Sequence, residues 1–192
     1  MFVNLMNINE TIGIIEEDEH HPLPDWASFL VKTGEAWANL VDDTTVKHTF
    51  AHLLINQLAF ECGYAAASLR ERLYISDEPE QRMSGVLIYT ASGDAQGSLG
   101  GLVRMGEPSR IEPVIRAMLG KASWCGNDPI CMEQGHPDMG GQGPDTANLA
   151  ACYACALVPE TSCEEFNRLL DRALLIGTPE DPALGYFHQL SV

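Results

Sequence analysis

The sequence Trp-Cys-Gly-Asn-Asp-Pro-Ile-Cys at residues 124–131 gives the clearest indication of the fold, together with Asn-Leu-Ala-Ala-Cys-Tyr-Ala-Cys at residues 148–155. Each stretch carries one pair of cysteines, and a loop rich in glycine and proline separates the two stretches. Two thiol pairs joined by a flexible loop suit a tetrahedral zinc ion, because each pair supplies one edge of the tetrahedron. The sequence therefore predicts a structural Zn2+ site whose ligands are Cys125, Cys131, Cys152 and Cys155.

A redox role is the main alternative for these cysteines. A thioredoxin-like Cys-x-x-Cys follows a strand within a βαβ unit, whereas Cys152 follows a loop and residues 148–151. No signal-peptide pattern opens the chain, and no apolar run approaches the roughly 18 residues that a membrane span needs. We therefore expect a cytoplasmic protein without a membrane segment, where disulfides rarely persist.

Two more cysteines lie outside this set. Cys62 ends an apolar helical stretch and is expected to be a small buried residue. Cys163 is a reserve ligand for the zinc ion. Alternatively, it is the first residue of a helix, because Ser162-x-x-Glu165 has the pattern of a capping box.

The charge of the chain limits its partners. It has 192 residues, of which 45% are hydrophobic, enough for the core of a single domain. It carries 27 acidic and 11 basic residues, a net charge of −16. Nucleic-acid binding depends on neutralising phosphates with Lys and Arg. The composition therefore argues against an independent DNA-binding module and favours a domain that docks on a more basic partner.

The pattern of apolar residues predicts a small, helix-rich α/β or α+β domain with a short central sheet. The predicted elements are a strand near 12–15, a helix from Asp25, a helix from Thr44 that ends at Gly63, strands 69–76 and 85–90, a helix over 107–121, and a last helix from Ser162 to Gly177. The strand 85–90 is apolar throughout its middle, which predicts a central position in the sheet.

Two other motifs are candidates for functional sites. His48 and His52 share one helix face and could ligate a metal, but Thr49 stands where a zincin has its catalytic Glu. A buried structural role is therefore favoured, with a small nucleic-acid hydrolase using His48, His52 and nearby acids as the alternative function. The glycine-rich loop 93–102 lacks the lysine of a phosphate-binding loop and favours a tight turn.

Several strings together resemble a known family. They include His-Thr-Phe-Ala-His-Leu-Leu-Ile (48–55), Ser-Leu-Arg-Glu-Arg-Leu-Tyr (68–74), Val-Leu-Ile-Tyr-Thr (86–90), Gly-Ser-Leu-Gly-Gly-Leu-Val (97–103), both cysteine stretches and Pro-Glu-Thr-Ser-Cys-Glu (159–164). In this order they resemble the C-terminal zinc-binding domain of DrmB proteins, which belong to DISARM anti-phage systems. The same domain family occurs at the C-terminus of MrfA-type DNA repair helicases.

The resemblance implies an accessory, non-enzymatic zinc-binding domain rather than a motor. It implies a zinc ion on the four cysteines named above, and a helicase-like partner subunit of superfamily 2. Contact with DNA would then be indirect, through the complex. The resemblance divides the chain into an N-terminal arm and first helix (1–43), the zinc-binding domain (44–177) and a C-terminal tail (178–192).

Overall fold

The computed structural model describes residues 2–3, 44–76, 80, 83–90, 100–133 and 148–188. The predicted strand near 12–15, the predicted helix from Asp25 and most of the glycine-rich loop lie outside the described residues. The described helices and strands form an α+β arrangement, which confirms the α+β form of the predicted fold class.

The central element is helix α1, Thr44–Cys62. Every residue from Val46 to Ile55 is buried, including polar ones, so other elements surround most of this helix. A helix that is buried on all sides belongs to the interior of the domain. The helix ends at Gly63, whose φ of +70° is readily adopted by glycine, as the sequence predicted.

A three-stranded antiparallel sheet packs against α1. Its strands are β1 (Phe2–Val3), β2 (Leu69–Ser76) and β3 (Met83–Thr90), in the spatial order β1-β3-β2. The central position of β3 confirms the prediction from its apolar run. In the register of β2 with β3, Glu71 lies opposite Ile88, and both side chains are buried. The inward face of the sheet therefore carries one carboxylate among apolar side chains.

Three helices follow the sheet: α2 (Gly100–Met105), α3 (Pro108–Ala122) and α4 (Ile130–Glu133). Helix α3 confirms the helix predicted over 107–121, and its apolar face packs on α1 through Val114, Met118, Leu119 and Ala122. In the described part of the chain, no helix is both long enough and apolar enough to cross a membrane.

The predicted last helix from Ser162 to Gly177 is wrong. The segment contains a 3-10 turn at Glu160–Ser162, an irregular stretch, and the short helix α5 at Ala173–Ile176, which ends at Gly177. Phe166, Asn167 and Leu169 adopt φ values of 54°, 57° and 59°, which a right-handed helix does not allow. Hydrogen bonds to distant parts of the chain fix this backbone and override the helical spacing of its apolar residues.

The residues beyond α5 also pack on the core. A 3-10 turn at Pro182–Leu184 leads to Phe187, which is buried with its ring centroid 5.8 Å from that of Phe50. The division of the chain at residues 43 and 177 stays a prediction. The burial of Phe187 shows that chain beyond residue 177 contributes to the same core.

Candidate metal centre

The four predicted cysteine ligands lie on three short pieces of structure. Cys125 follows helix α3, Cys131 lies in α4, and Cys152 and Cys155 lie in one tight turn. The turn is closed by backbone hydrogen bonds from the N–H groups of Cys155 (3.1 Å) and Ala156 (3.0 Å) to the carbonyl of Cys152. This turn places both of its sulfurs on the same side, facing the sulfurs of the first pair.

The sulfur atoms have the spacing of a tetrahedral site. Sγ–Sγ distances are 3.5 Å for Cys125–Cys152, 3.7 Å for Cys131–Cys155 and 3.7 Å for Cys152–Cys155. All four sulfurs lie within 4.8 Å of one another. A tetrahedron with Zn–S bonds of about 2.3 Å has edges of about 3.8 Å, whereas a disulfide bond is only about 2.05 Å long. The arrangement fits a zinc ion, and all four cysteines are free thiols.

Hydrogen-bond donors surround the sulfurs as they do around metal thiolates. The backbone N–H of Asn127 donates to Cys125 Sγ at 3.4 Å, and its side-chain amide donates to Cys152 Sγ at 3.3 Å. The backbone N–H of Cys152 donates to Cys155 Sγ at 3.3 Å. Such donors stabilise negative charge on sulfur and hold the ligands in place.

The thiols of Cys131, Cys152 and Cys155 have unequal acidities. Burial, reinforced by the charge of Cys155, raises the pKa of Cys131. Burial also raises the pKa of Cys155, to about 12, together with the charges of Cys152 and Cys125. Burial likewise opposes ionisation of Cys152, but hydrogen bonds from Ala154 and Asn127 outweigh it and lower the pKa to about 7. Thiols that lie this close together resist full ionisation. A bound divalent cation would displace their remaining protons and stabilise the thiolates.

A buried cation lies beside this cluster. The side chain of Arg172 is fully buried, donates to the carbonyl of Ala122 at 2.8 Å, and forms an ion pair with Asp128. The other carboxylate oxygen of Asp128 accepts the backbone N–H of Cys125 at 2.8 Å. Arg172 and Asp128 therefore connect α5 to the loop that carries the first cysteine pair. Burial acts to lower the pKa of Arg172, but the hydrogen bond to Asp128 and the charge of Asp128 raise it, with a smaller contribution from the charges of Cys155 and Cys131.

The predicted histidine pair lies in a second cluster. His48 and His52 converge with Glu71 and Cys163, and one ligand atom from each lies within 4.8 Å of the others. The prediction of Cys163 at the start of a helix is wrong, because Cys163 has extended backbone (φ −113°, ψ 136°) after the 3-10 turn Glu160–Ser162, and its sulfur lies 3.1 Å from His48 Nε2 of α1. Glu71 was missed, although the alternation of strand β2 places it on the inward side with Leu69. A charged residue at an inward strand position was the available signal.

The roles of Asn127, Asp128 and Arg172 were also missed. Asn127 and Asp128 lie inside the first cysteine stretch, where polar residues next to a ligand commonly orient it. Arg172 is distant in sequence from Asp128, and no sequence pattern indicates that the two side chains pair.

Comparisons with known proteins bear on the four-cysteine cluster. Residues 50–156 match the family described as the MrfA Zn-binding domain. The chain is also 46% identical over 143 residues to the DISARM protein DrmB of Bacillus paralicheniformis, an alignment that covers 74% of this chain and 24% of DrmB. The chain thus spans about a quarter of the length of that relative. The matched range contains all four cysteines of the set and ends one residue after Cys155. Zinc is the metal that the family and the four-sulfur cluster both indicate, and the chain belongs to the MrfA Zn-binding domain family.

Proposed function

We propose that this chain is a zinc-stabilised accessory domain that docks on a helicase-like protein in a DNA-processing complex of anti-phage defence or DNA repair. Its zinc ligands are Cys125, Cys131, Cys152 and Cys155. The observation that carries the proposal is the tetrahedral spacing of their sulfurs, with distances of 3.5–3.7 Å. All four ligand positions come from the protein, which is the pattern of structural rather than catalytic zinc.

The zinc assignment is tested by replacing one ligand. Cys152→Ser is expected to remove the zinc ion from the four-cysteine cluster and to lower the thermal transition. Cys62→Ser is the matched control, because Cys62 lies at the end of α1 outside both clusters. Native mass spectrometry of both variants gives the metal content. A Cys152→Ser protein with an unchanged zinc content and an unchanged transition contradicts the assignment.

An exposed aromatic surface next to the cluster supports docking on a partner. Trp124 is 72% exposed and Tyr153 is 87% exposed, each beside one of the cysteine pairs. Together with Lys121 they border a groove between α1 and α3. Phe60, which is 73% exposed, extends this surface, since the Lys121 ammonium lies 4.1 Å from its ring centroid. Large exposed aromatic side chains are typical anchors of protein interfaces.

This surface can be separated from folding by mutation. Because Trp124 and Tyr153 are exposed, Trp124→Ala with Tyr153→Ala is expected to leave the zinc content and the thermal transition unchanged. In a pull-down with the helicase-like protein of the same host, the double variant is expected to lose binding. Val103→Ala, another exposed apolar residue (68%) away from the groove, is the control. Equal binding of the double variant and the control rules out this surface as the docking site.

The −16 charge supports the same proposal, since a strongly acidic domain is attracted to a basic partner and repelled by DNA phosphates. Contact with DNA is therefore proposed only through the complex. A cytoplasmic location is part of the proposal, because free thiols persist in a reducing compartment.

The alternative of a nucleic-acid hydrolase is disfavoured, because the His48 and His52 side chains are fully buried and out of a substrate's reach.

A further inference from the structure

The second cluster joins four potential metal ligands from three distant parts of the chain. His48 and His52 come from α1, Glu71 from β2 and Cys163 from the turn after Glu160–Ser162. The exposed fractions of the four residues are 0%, 0%, 2% and 8%. Four ionisable side chains are rarely buried together unless they are paired or bind a metal. The cluster is also distinct from the four cysteines described above.

The distances within this cluster are close to those of a tetrahedral site. His48 Nε2 lies 3.0 Å from Glu71 Oε1 and 3.1 Å from Cys163 Sγ, and His52 Nε2 lies 3.4 Å from Glu71 Oε1. Zinc bonds of about 2.1 Å to nitrogen or oxygen and 2.3 Å to sulfur give edges of about 3.4–3.6 Å. The observed edges need to lengthen by about half an ångström at most. The two imidazole rings meet at 86°, with centroids 4.4 Å apart, so their Nε2 atoms can converge on one point.

The tautomer of His52 is set for metal binding. Its Nδ1 lies 3.0 Å from the carbonyl oxygen of Ala156, which can only accept, so Nδ1 carries the proton. Its Nε2 then presents a lone pair to the cluster. Within the described part of the chain this buried Nε2 makes no hydrogen bond. Histidine ligands of zinc typically donate their other N–H to a backbone carbonyl or a carboxylate in this way.

The Cys163 sulfur is surrounded as a metal thiolate is. It accepts backbone N–H groups from Glu165 at 3.3 Å and from Asn167 at 3.2 Å. The left-handed backbone at Phe166 and Asn167 belongs to the turn that directs these two donors at the sulfur. Non-glycine residues in that conformation cost free energy and are retained where the surroundings require them. The first cysteine pair shows the same kind of contact, from Asn127 N–H to Cys125 Sγ.

We propose that His48, His52, Glu71 and Cys163 bind a second structural Zn2+ ion, separate from the one on the four cysteines. Two imidazoles, one thiolate and one carboxylate all belong to the usual ligand set of zinc, and four protein ligands close the coordination sphere. This ion would join α1, β2 and the segment after residue 160. His52 would also link the two sites, because its acceptor Ala156 directly follows Cys155.

The first experiment is on the unmodified chain, purified from zinc-containing medium without chelator. Native mass spectrometry is expected to give two zinc ions per chain. X-ray absorption at the zinc edge is expected to give about 2.5 sulfur and 1.5 nitrogen or oxygen ligands per zinc, the average of the two sites. One zinc with sulfur ligands only overturns the proposal, because the cluster is then only a hydrogen-bonded ionic network. Absence of zinc overturns both sites.

Variants then assign each ion. Glu71→Gln keeps the shape of the side chain but removes its negative charge. This variant is expected to bind one zinc ion, with sulfur ligands only. Cys152→Ser is expected to leave one zinc with mixed ligands, so failure of either site is seen separately. Two zinc ions retained in a folded Glu71→Gln with unchanged mixed coordination overturn the assignment of Glu71 as a ligand. If Glu71→Gln does not fold, the measurement on the unmodified chain still decides.

Discussion

Removal of the buried cation beside the four-cysteine cluster is expected to be among the most destabilising single changes in the chain. Arg172→Met keeps most of the side-chain volume but loses the hydrogen bond to Ala122 and the ion pair with Asp128. It leaves the Asp128 carboxylate without its partner, next to the backbone of Cys125. It also removes positive charge near the cysteine sulfurs.

The magnitude follows from the burial of the pair. Breaking a buried ion pair by removing one partner costs about 3–5 kcal/mol. The Arg172 side chain is fully buried but that of Asp128 is 19% exposed, so water can partly solvate the carboxylate that remains. We therefore expect a loss of about 3 kcal/mol in the free energy of unfolding. At roughly 2–4 °C per kcal/mol for a chain of this size, the transition falls by about 6–12 °C.

The assay is thermal and urea unfolding followed by circular dichroism, at one fixed concentration of zinc. Arg116→Met is the matched control, because Arg116 pairs with Glu112 at 3.0 Å on the surface of α3, with side chains 43% and 27% exposed. Surface pairs of this kind contribute about 0.3–0.5 kcal/mol. Equal destabilisation by the two changes refutes the reasoning. The double change Arg172→Met with Asp128→Asn is expected to regain part of the loss, since no partly buried carboxylate then remains unpaired.

Three further predictions concern packing, the irregular segment and the metal. Gly185→Ala is expected to lower the free energy of unfolding by about 1–3 kcal/mol through overpacking, because an added Cβ meets backbone atoms of Ile176 and Gly177 at 2.1–2.2 Å. Gly120→Ala has open space at an exposed helix position. It is expected to raise the free energy of unfolding by about 0.5–1 kcal/mol in the same urea titration. Asn167→Ala is expected to cost about 2–4 kcal/mol, since its side chain both accepts from and donates to the backbone of Val158, and a value below 0.5 kcal/mol contradicts this role. Removal of zinc with a chelator is expected to lower the thermal transition by roughly 8–16 °C, and added zinc is expected to restore it. The size corresponds to the loss of a ligand that is present at about a thousandfold excess over its Kd. A thermal transition that does not change with the chelator contradicts a structural metal.

The part of the fold that the sequence predicted well is the part with regular periodicity. Helix α3 buries one recurring set of apolar residues, helix α1 is rich in apolar residues along its whole length, and Gly63 marks where α1 stops. The grouping of the four cysteines followed from their spacing, because a zinc tetrahedron needs two close pairs. The structure brings those four sulfurs together.

The segment from Ser162 to Gly177 could not be predicted in this way. Its apolar residues have helical spacing, yet Phe166 is 71% exposed and its backbone is left-handed. The interactions that decide its conformation join residues far apart in sequence, such as His48 with Cys163 and Arg172 with Asp128. The pattern of one stretch contains no information about partners that lie 44 or 115 residues away.

The described segment 148–188 is held by side chains more than by secondary structure. Apart from the four residues of α5, it is described as turns, 3-10 turns and irregular backbone. Polar anchors take the place of a hydrogen-bonded ladder: Asn148 binds the backbone of Asn167 and Leu170, and Asp171 accepts from Ala150 and Ala173. Each anchor contributes only about 1–3 kcal/mol and must be ordered at an entropic cost. Metal ligands add attachments of a strength that such anchors lack. In each cluster, cysteines of this irregular segment meet side chains from helices or from the sheet, so each cluster attaches the segment to regular structure.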